Sequence, residues 1–421
     1  MLRCGLLGEK LGHSYSPAIH ALLADYEYKL YERAPGELED FLKNGGFDGL
    51  NVTIPYKKAV IPYCAELSDI ARRLGSVNTI VRRGDGSLYG DNTDAFGFSY
   101  LLEKSGISVA GREVLVLGTG GAAQTVCSVL HRLGAHIAAG YHTVPPCTET
   151  LRRTVTDFFP ISAPNRHQNA PIVINATPVG MYPHNGRAPV NLADFPHCEA
   201  VFDLIYNPLR TALLLQAEAL EIQGFNGLPM LCAQAAAAAS VFTGAPVSYE
   251  KIRRAEDTLR RKLENIILIG MPGSGKTTLA RLLAKDLGRE CLDCDEELLR
   301  RTGLTAEEFL IKQGETAFRQ TETEILRDLG KRWGTVLSTG GGCVTRPENR
   351  GLLRQNGRVL WLQRDLDKLA LPGRPLLRST TPRALYEARK DLYADFCDEA
   401  ASNNADPAWG LAQIKEILEK T

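Results

Sequence analysis

The chain has 421 residues, and its 49 basic and 49 acidic side chains give a formal net charge of zero at pH 7. Its 44% hydrophobic and 23% charged residues are ordinary for a globular protein of about two or three domains. Because the charges balance, the chain has no overall positive field that would attract nucleic acid or an anionic membrane. No apolar run reaches the roughly 18 residues of a membrane span. Ten dispersed cysteines and no recognisable signal peptide predict reduced thiols in a cytoplasm.

The first hundred residues alternate short apolar runs with amphipathic ones, which predicts an α/β domain over residues 1–100. Strands are predicted at Leu2–Gly8, Tyr28–Glu32 and Gly49–Ile54. A helix is predicted after the first strand, with Ser16 as its N-cap and Pro17 as its first residue. Ser14 has no such structural role, so its hydroxyl is a candidate ligand contact.

Two charged residues of this domain are open to two interpretations. Lys57 follows a strand that Pro55 ends, at the edge where open α/β sheets bind ligands, but Lys57 and Lys58 could equally begin a solvated helix. A further strand at Ser76–Val81 contains Asn78. Asp94 precedes the predicted helix Ala95–Glu103 and, taken alone, is a capping acid.

Residues 101–225 carry the pattern of a doubly wound parallel sheet. The apolar run Glu113–Leu117 leads into Gly118-Thr-Gly120-Gly121, a variant of the dinucleotide fingerprint. A helix follows, and its apolar face is predicted to contain Ala122, Val126, Val129, Leu130 and Leu133. Further parallel strands are predicted at His136–Tyr141, Ile172–Asn175 and Ala200–Leu204.

The residues after the second of these strands bear on the choice of coenzyme. An acid about 20 residues after the glycine loop would favour NAD, and none is present. A cation there would favour NADP, and His142 of Tyr141-His142-Thr143 is the candidate, with a surface histidine as the alternative.

A helix rich in small residues follows Gly227, and Gln234 is its polar exception. The helices of residues 226–262 are expected to return to the first domain. Residues 250–264 are highly charged and helix-prone, which predicts a solvated linker helix.

A nucleotide-binding domain is predicted from residue 265 onward. Ile266–Ile269 is an apolar strand, Gly270–Thr277 matches G-x-x-x-x-G-K-T, and an amphipathic helix follows. In this motif the glycine backbone N–H groups and the helix N-terminus are expected to bind phosphate, Lys276 to reach the β- and γ-phosphates, and Thr277 to bind Mg²⁺. The residues expected around the phosphates are Gly270, Gly273, Ser274, Gly275, Lys276, Thr277 and Thr278.

Further candidates follow along this domain. Asp293 and Asp295 are predicted on an extended segment that points both side chains the same way, with a helix-terminal acid cluster as the alternative. A strand at Thr335–Thr339 ends in a second glycine loop, Gly340, Gly341 and Gly342. The remaining candidates are Arg319 in a helical stretch, Arg374 in a basic loop, and Arg389 on a late helix.

Over residues 1–250 the chain resembles shikimate dehydrogenase in several motifs that occur in the family's order. Asn51-Val-Thr53-Ile-Pro55-Tyr-Lys57 matches N-V-T-x-P-x-K, and Ser14 and Ser16 match S-x-S. The resemblance implies substrate contacts at Ser14, Ser16, Thr53, Asn78, Tyr206 and Gln234. It implies Lys57 as acid/base, oriented by Asp94, and a coenzyme site at Gly118, Gly120, Gly121, Ala122, His142, Thr143 and Gly227. The family's Asn-Arg-Thr clamp for the NADP 2′-phosphate is replaced by Tyr141-His142-Thr143.

Over residues 265–421 the chain resembles shikimate kinase. The resemblance implies Asp293 for Mg²⁺, Asp295 to orient the accepting hydroxyl, and Arg374 to close over the transferring phosphate. Shikimate would be held by Arg319, Arg389 and the glycines 340–342. The lid region 364–382 is shorter than is usual in the family, and the family's adenine-covering arginine has no clear match, with Lys368 at best a substitute.

These observations together predict an α/β bifunctional enzyme. A substrate domain, a Rossmann domain and a P-loop domain related to nucleoside monophosphate kinases would make shikimate and then phosphorylate it, with NADP, ATP and Mg²⁺. The alternative is a quinate/shikimate dehydrogenase that uses NAD, fused to a P-loop module retained for regulation or without activity. The expected partners are small molecules only, not nucleic acid or membrane.

Overall fold

The computed structural model describes residues 1–12, 14–143, 148–369 and 381–420. Its backbone folds into two compact units: Met1–Tyr206 with Leu213–Arg260, and Asn207–Ala212 with Arg261–Thr421. The segment Asn207–Ala212 therefore groups with the second unit, although it lies within the predicted Rossmann stretch. No helix in the described ranges combines the length and the apolar character needed to cross a bilayer.

The first unit begins with a six-stranded sheet in the order β2-β1-β3-β5-β6-β4. Strands β1–β3 are parallel, while β5 pairs antiparallel with both β3 and β6. The strands are β1 (Arg3–Gly8), β2 (Glu27–Glu32), β3 (Gly49–Val52), β4 (Glu66–Leu67), β5 (Thr79–Arg82) and β6 (Leu88–Asp91). The helices are α1 (Ser16–Leu23), α2 (Leu38–Asn44), α3 (Asp69–Leu74) and α4 (Asp94–Ser105).

The second sheet of this unit is parallel throughout and has the order β12-β11-β10-β7-β8-β9. Its strands are β7 (Glu113–Leu117), β8 (His136–Tyr141), β9 (Asp157–Pro160), β10 (Ile172–Asn175), β11 (Ala200–Asp203) and β12 (Gln223–Asn226). The helices are α5 (Gly121–Arg132), α6 (Glu149–Thr154), α7 (Ala212–Ala219), α8 (Leu228–Thr243) and α9 (Tyr249–Leu263). Successive strands run outward in opposite directions from β7 and β10, which opens a crevice between their carboxyl ends. The predicted doubly wound sheet is confirmed.

Two expectations about helices of this unit are wrong. Leu133 is 42% exposed, because α5 ends at Arg132 and the chain turns through Gly134 with φ +78°. Helix α9 is not solvated all round, since Ile252 and Leu259 are buried on one face. Glu256 on that face is 1% exposed, and its carboxylate accepts from Lys104 and Arg260.

The second unit contains a five-stranded parallel sheet in the order β14-β15-β13-β16-β17. Its strands are β13 (Asn265–Ile269), β14 (Cys291–Asp293), β15 (Val336–Ser338), β16 (Gly357–Gln363) and β17 (Glu399–Ser402). The helices are α10 (Lys276–Leu287), α11 (Cys294–Thr302), α12 (Ala306–Leu329), α13 (Glu348–Arg354), α14 (Pro382–Phe396) and α15 (Pro407–Glu419). Strand β13 is central, so the loop that follows it opens at the middle of the sheet. Helix α12 kinks at Gly314, where φ is +80°.

A buried aromatic cluster joins α1 to β2 in the first unit. His20 is 1% exposed, its ring lies 4.0 Å from the Tyr28 ring at 12°, and its Nδ1 lies 2.5 Å from the Tyr26 hydroxyl. Burial lowers the pKa of His20 to about 3, so the ring is neutral in the folded unit at neutral pH.

The stability of the first unit should therefore depend on pH through His20. The unfolded chain takes up a proton near pH 6.5, whereas the folded ring does not until about pH 3. The stability that a neutral His20 contributes is present above about pH 6.5 and is lost as the pH falls towards 3, by at most about 1.4 kcal/mol per pH unit.

We expect His20→Phe to flatten the pH dependence of unfolding between pH 6.5 and 4, because Phe can stack on Tyr28 and does not titrate. Hydrogen exchange of the β1–β3 amides in a urea series measures this free energy for the first unit alone. Parallel pH curves for the two proteins would contradict a neutral buried His20.

Candidate active sites

A cavity of about 390 Å³ lies in the first unit and is lined by residues from the segments of both of its sheets. It brings together side chains that are scattered along 220 residues of the sequence. Those predicted as site residues are Ser14, Ser16, Thr53, Lys57, Asn78, Asp94, Ala122, Tyr206, Gly227 and Gln234. Asn51 and Lys10 also line it, and sequence reasoning did not single them out. Asn51 could have been found, because it opens the N-V-T motif.

One charged pair lies in this cavity. Lys57 Nζ is 2.6 Å from Asp94 Oδ2, and the side chains are 30% and 18% exposed. Lys57 is in the loop after β3, and Asp94 is the first residue of α4. Thr93 occupies the N-cap position without a side-chain cap of its own, and Asp94 is the acidic residue of the first helical turn, where its charge favours the helix N-terminus as the capping interpretation predicts. The Asp94 carboxylate also pairs with the Lys57 ammonium group in the cavity.

The serines lie at the start of α1. Ser16 is the first helical residue and Tyr15 is the N-cap, with no side-chain cap, so the prediction of Ser16 as N-cap is wrong by one position. Ser14 Oγ accepts from the Ser16 backbone N–H at 3.2 Å. The two hydroxyls and the N-terminal end of the helix together form a surface that favours an anion.

The amide and phenol groups of the cavity are oriented by their neighbours. Asn78 Oδ1 accepts from Thr93 N at 2.8 Å and from Thr79 Oγ1 at 3.0 Å, so its NH₂ group is the part left for a ligand. Gln234 Nε2 donates to Leu231 O at 2.9 Å, which leaves its carbonyl oxygen. Burial raises the pKa of Tyr206, so its hydroxyl remains a donor.

The glycine loop between β7 and α5 has room for a diphosphate. Gly118 has φ +112°, where other residues are strained, and its N–H donates to Gly140 O at 2.8 Å. A β-carbon on Gly120 or Gly121 would meet no atom within 4 Å, so open space lies over the N-terminus of α5. His142 and Thr143 are exposed just beyond the carboxyl end of β8, the strand beside β7. These residues fit a dinucleotide at the crevice.

Gly227 is required by its surroundings rather than by its φ angle. A β-carbon there would lie 2.0 Å from the carbonyl oxygen of Leu204. Only glycine allows α8 to begin this close to the chain that follows β11 and so to bring Gln234 to the cavity.

The second unit has a smaller cavity of about 150 Å³ around the P-loop. Its lining is Gly273, Gly275, Lys276, Thr277, Thr278, Asp295, Thr339, Gly340 and Gly341. Lys276 Nζ donates to the carbonyl oxygens of Gly270 and Met271 at 3.0 and 2.9 Å. Gly270, Gly273 and Gly275 have φ of +144°, +81° and +95°, a backbone conformation that favours glycine.

The oxygen donors beside this loop fit a hard divalent cation. Thr277 Oγ1 donates to Asp293 Oδ2 at 2.8 Å and lies 3.2 Å from Ser338 Oγ. Asp293 also caps α11, with Oδ1 accepting from Asp295 N at 2.9 Å. The prediction that both acids lie on an extended segment is wrong, because this cap starts the helix and places Asp295 in its first turn. Asp295 nevertheless faces the cavity.

Two arginines converge on the second glycine loop. Arg389 Nη1 and the Tyr393 hydroxyl donate to Gly341 O at 3.0 and 2.5 Å. Arg319 Nη1 donates to Glu322 Oε2 at 2.7 Å, and the two side chains are 8% and 4% exposed. Burial raises the pKa of Glu322, although Arg319 opposes this. Sequence reasoning missed Glu322, whose only local signal is its position three residues after Arg319 on a helix.

The glycines of this loop are needed for close approach. A β-carbon on Gly340 would lie 2.2 Å from Glu322 Oε1, and one on Gly342 would lie 2.2 Å from Arg319 Nη2. Arg364, also not predicted, lies 3.6 Å from where a β-carbon on Gly275 would be. Arg374 lies outside the described residues.

Comparison with known proteins gives a consistent result for both units. The model of the shikimate dehydrogenase substrate binding domain matches residues 6–80, and the shikimate kinase model matches residues 272–420. Shikimate dehydrogenase (NADP(+)) of Shouchella clausii is 37% identical over 254 residues, which are 57% of this chain and 92% of that protein.

Solved structures resemble the first unit to a similar extent. A chorismate mutase/shikimate 5-dehydrogenase fusion protein from Clostridium acetobutylicum is 33% identical with a TM-score of 0.58, covering 62% of this chain and 98% of that one. Shikimate 5-dehydrogenase of Thermus thermophilus, solved with NADP(H) and shikimate, is 32% identical with a TM-score of 0.56, covering 61% and 99%. The chain therefore belongs to the shikimate dehydrogenase family and continues, after that region, into a shikimate kinase domain.

Proposed function

We propose that the chain is a bifunctional enzyme that reduces 3-dehydroshikimate to shikimate with NADPH and then phosphorylates the 3-hydroxyl of shikimate with ATP and Mg²⁺. The observation that carries the proposal is the Lys57–Asp94 contact of 2.6 Å inside a cavity lined by hydroxyl and amide groups. The match to the shikimate kinase model and the P-loop cavity support the second activity. Nine described cysteines are free thiols, which supports a cytoplasmic location.

In the reduction, two groups of cavity residues bind different parts of the substrate. Ser14 and Ser16 bind its carboxylate, while Asn78, Thr53, Tyr206 and Gln234 bind the ring oxygens. NADPH supplies the hydride for the carbonyl carbon. As that carbonyl oxygen gains charge, the Lys57 ammonium donates a proton to it, and Asp94 orients the ammonium throughout. Solvent then returns a proton to Lys57.

In the coenzyme site, Gly118, Gly120, Gly121 and Ala122 bind the diphosphate at the start of α5. Gly227 lets α8 approach on the other side of the crevice. His142 and Thr143 face the adenosine end, and His142 takes the place of the usual arginine at the 2′-phosphate. The relatives named for NADP(+) support this coenzyme over NAD.

In the phosphorylation, Arg319, Arg389 and the glycines 340–342 bind shikimate, and Glu322 holds Arg319 in place. Asp295 accepts the hydrogen of the 3-hydroxyl as the oxygen of that hydroxyl attacks the γ-phosphorus. The bond between the γ-phosphorus and the β–γ bridging oxygen breaks, and ADP leaves. Lys276 and the loop amides stabilise the charge on the transferring group, and Arg374 is assigned the same role. Thr277 and Asp293 would hold Mg²⁺, which would supply positive charge to offset that of the phosphate groups.

A single time course tests both activities. The full chain is given 3-dehydroshikimate, ATP and Mg²⁺ with either NADPH or NADH, and coenzyme oxidation is followed together with phosphorylated product. We expect faster oxidation of NADPH and accumulation of shikimate 3-phosphate. Accumulation of unphosphorylated shikimate would refute the kinase, and no oxidation of either coenzyme would refute the dehydrogenase. A preference for NADH would support the alternative coenzyme.

Lys57→Met should lower kcat for reduction by about 10²–10⁴-fold, because the variant loses its proton donor while it keeps most of the side chain. Lys58→Met is the matched control, since Lys58 is the next residue and is exposed. Its reduction rate should equal that of the unmodified chain, as should shikimate phosphorylation in both variants. Equal losses in the two variants would remove the special role of Lys57.

Asp295→Asn should lower kcat for shikimate phosphorylation at least about a hundredfold, because the amide cannot accept the hydroxyl proton. Glu296→Gln, the neighbouring acid, pairs with Arg281 on the surface and serves as control. Initial rates at saturating shikimate measure the effect, with 3-dehydroshikimate reduction as the internal reference. A loss in the control as large as in Asp295→Asn would indicate damage to α11 instead.

A further inference from the structure

Another cavity of the first unit shares no lining residue with the cavity that contains Lys57. It has a volume of about 330 Å³, a size that accommodates a small molecule. Its walls come from α3, α5 and α6, and it is called the arginine cavity below because Arg73, Arg132 and Arg153 line it.

Helix α5 separates the arginine cavity from the proposed coenzyme site. Ala122, in the first turn of α5, lines the first cavity, whereas Arg132, its last residue, lines the arginine cavity. At a rise of 1.5 Å per residue these two positions are about 15 Å apart along the helix axis. The arginine cavity is therefore a separate site, at the end of α5 opposite the glycine loop.

The charge of this cavity is positive. Arg73, Arg132 and Arg153 lie in the last turns of α3, α5 and α6, and His131 lines the cavity beside them. None of the described residues that line it is acidic. A concave surface with charge of one sign concentrates ions of the opposite sign, so the cavity attracts anions.

Two of the three arginines have no partner for their charge. Arg153 forms an ion pair with Glu149 on its own helix. Arg73 and Arg132, by contrast, form no ion pair and no side-chain hydrogen bond with any residue in the described part of the chain. Two positive charges are thus available, which matches a ligand with two negative charges.

The other interpretation is that these arginines only complement the negative ends of their helices. That effect does not require them to share a cavity. Helices α3 and α6 each end in two consecutive arginines, and Arg72 and Arg152 do not line the cavity. Arg72 donates to Asp69 Oδ1 at 3.4 Å on its own helix. The second arginine of each helix instead contributes to one common surface.

The remaining wall is apolar and is held in place by packing. Ile70 of α3 and Val129 of α5 line the cavity and belong to the same hydrophobic cluster of the unit. Thr150 Oγ1 of α6 donates to the carbonyl oxygen of Arg73 at 3.3 Å, which connects α6 to α3. The wall is therefore formed without a ligand, and it offers apolar contact beside the two unpaired guanidinium groups.

We propose that the arginine cavity binds a small organic dianion. Its negative charges, from a phosphate monoester or from two carboxylates, would contact Arg73 and Arg132, and its apolar part would contact Ile70. Guanidinium groups bind both kinds of anion through paired N–H donors. This site is additional to those of the proposed reduction and phosphorylation.

Calorimetric titration of the full chain tests the site with phenyl phosphate and, separately, with phthalate. Saturating NADP⁺ and Mg²⁺-ADP are present, so that the proposed coenzyme and nucleotide sites are occupied. We expect the better dianion to bind with a Kd on the order of 0.1–1 mM, as is usual for ligands of this size. Uncharged benzyl alcohol should bind at least about tenfold more weakly, because it lacks the charge-assisted hydrogen bonds.

Four variants locate the binding. Arg73→Gln and Arg132→Gln should each weaken the better dianion at least about tenfold, the effect of a lost hydrogen bond to a charged group. Arg72→Gln and Arg152→Gln are the matched controls, because they remove the same charge from a last helical turn without changing the cavity lining. Their affinity should stay near that of the original chain.

Three results would overturn the inference. The first is that neither dianion binds the original chain. The second is that Arg73→Gln and Arg132→Gln bind as well as the original chain, which would place the probe elsewhere. The third is an equal loss in the control variants, which would indicate a general effect of charge. Reduction and phosphorylation rates without the probe should be the same in all four variants, so a failure of the proposed function is detected separately.

Discussion

Both units depend on a sharp turn by which the chain leaves a central parallel strand. Gly118 after β7 and Gly270 after β13 have φ of +112° and +144°, where a side chain is strained. A β-carbon would lie 3.0 Å from Ala176 O at the first turn and 2.5 Å from Leu362 O at the second. Any larger residue would therefore push the strand away from its neighbour. Because the turn is this tight, the next helix points its N-terminus at the open edge of the sheet, where phosphate groups are bound.

The charged groups of the two cavities are arranged differently. Lys57 and Asp94 keep 30% and 18% exposure, so water reaches the pair and protons can be exchanged. Arg319 and Glu322 keep only 8% and 4%. A buried ion pair of this kind is a poor source of net stability, because desolvation offsets much of the attraction. Its effect here is geometric, since it holds a guanidinium group against the second glycine loop.

Contiguous patterns were the most predictable part of this chain. Strands β8 and β10 were predicted with their observed bounds, and the P-loop was predicted from strand to helix. The wrong predictions concern segments whose local sequence pattern is compatible with two different structures. Asp293 and Asp295 alternate as on a strand, yet the Asp293 carboxylate caps a helix there. The charge of α9 predicts a solvated helix, although Ile252 and Leu259 form a narrow buried stripe on it.

The sequence by itself determined the glycine turns, the parallel α/β class and the residue types available for chemistry, because φ preferences and apolar periodicity act over a few residues. Only the tertiary structure decided that Ser14, Asn78, Tyr206 and Gln234 share a cavity, since strand order sets those distances. It also decided the surroundings of Asn51, which is an ordinary residue in its own segment. Its hydrogen-bond partners Tyr28 and Thr79 lie on other strands and become neighbours only when the sheet is assembled.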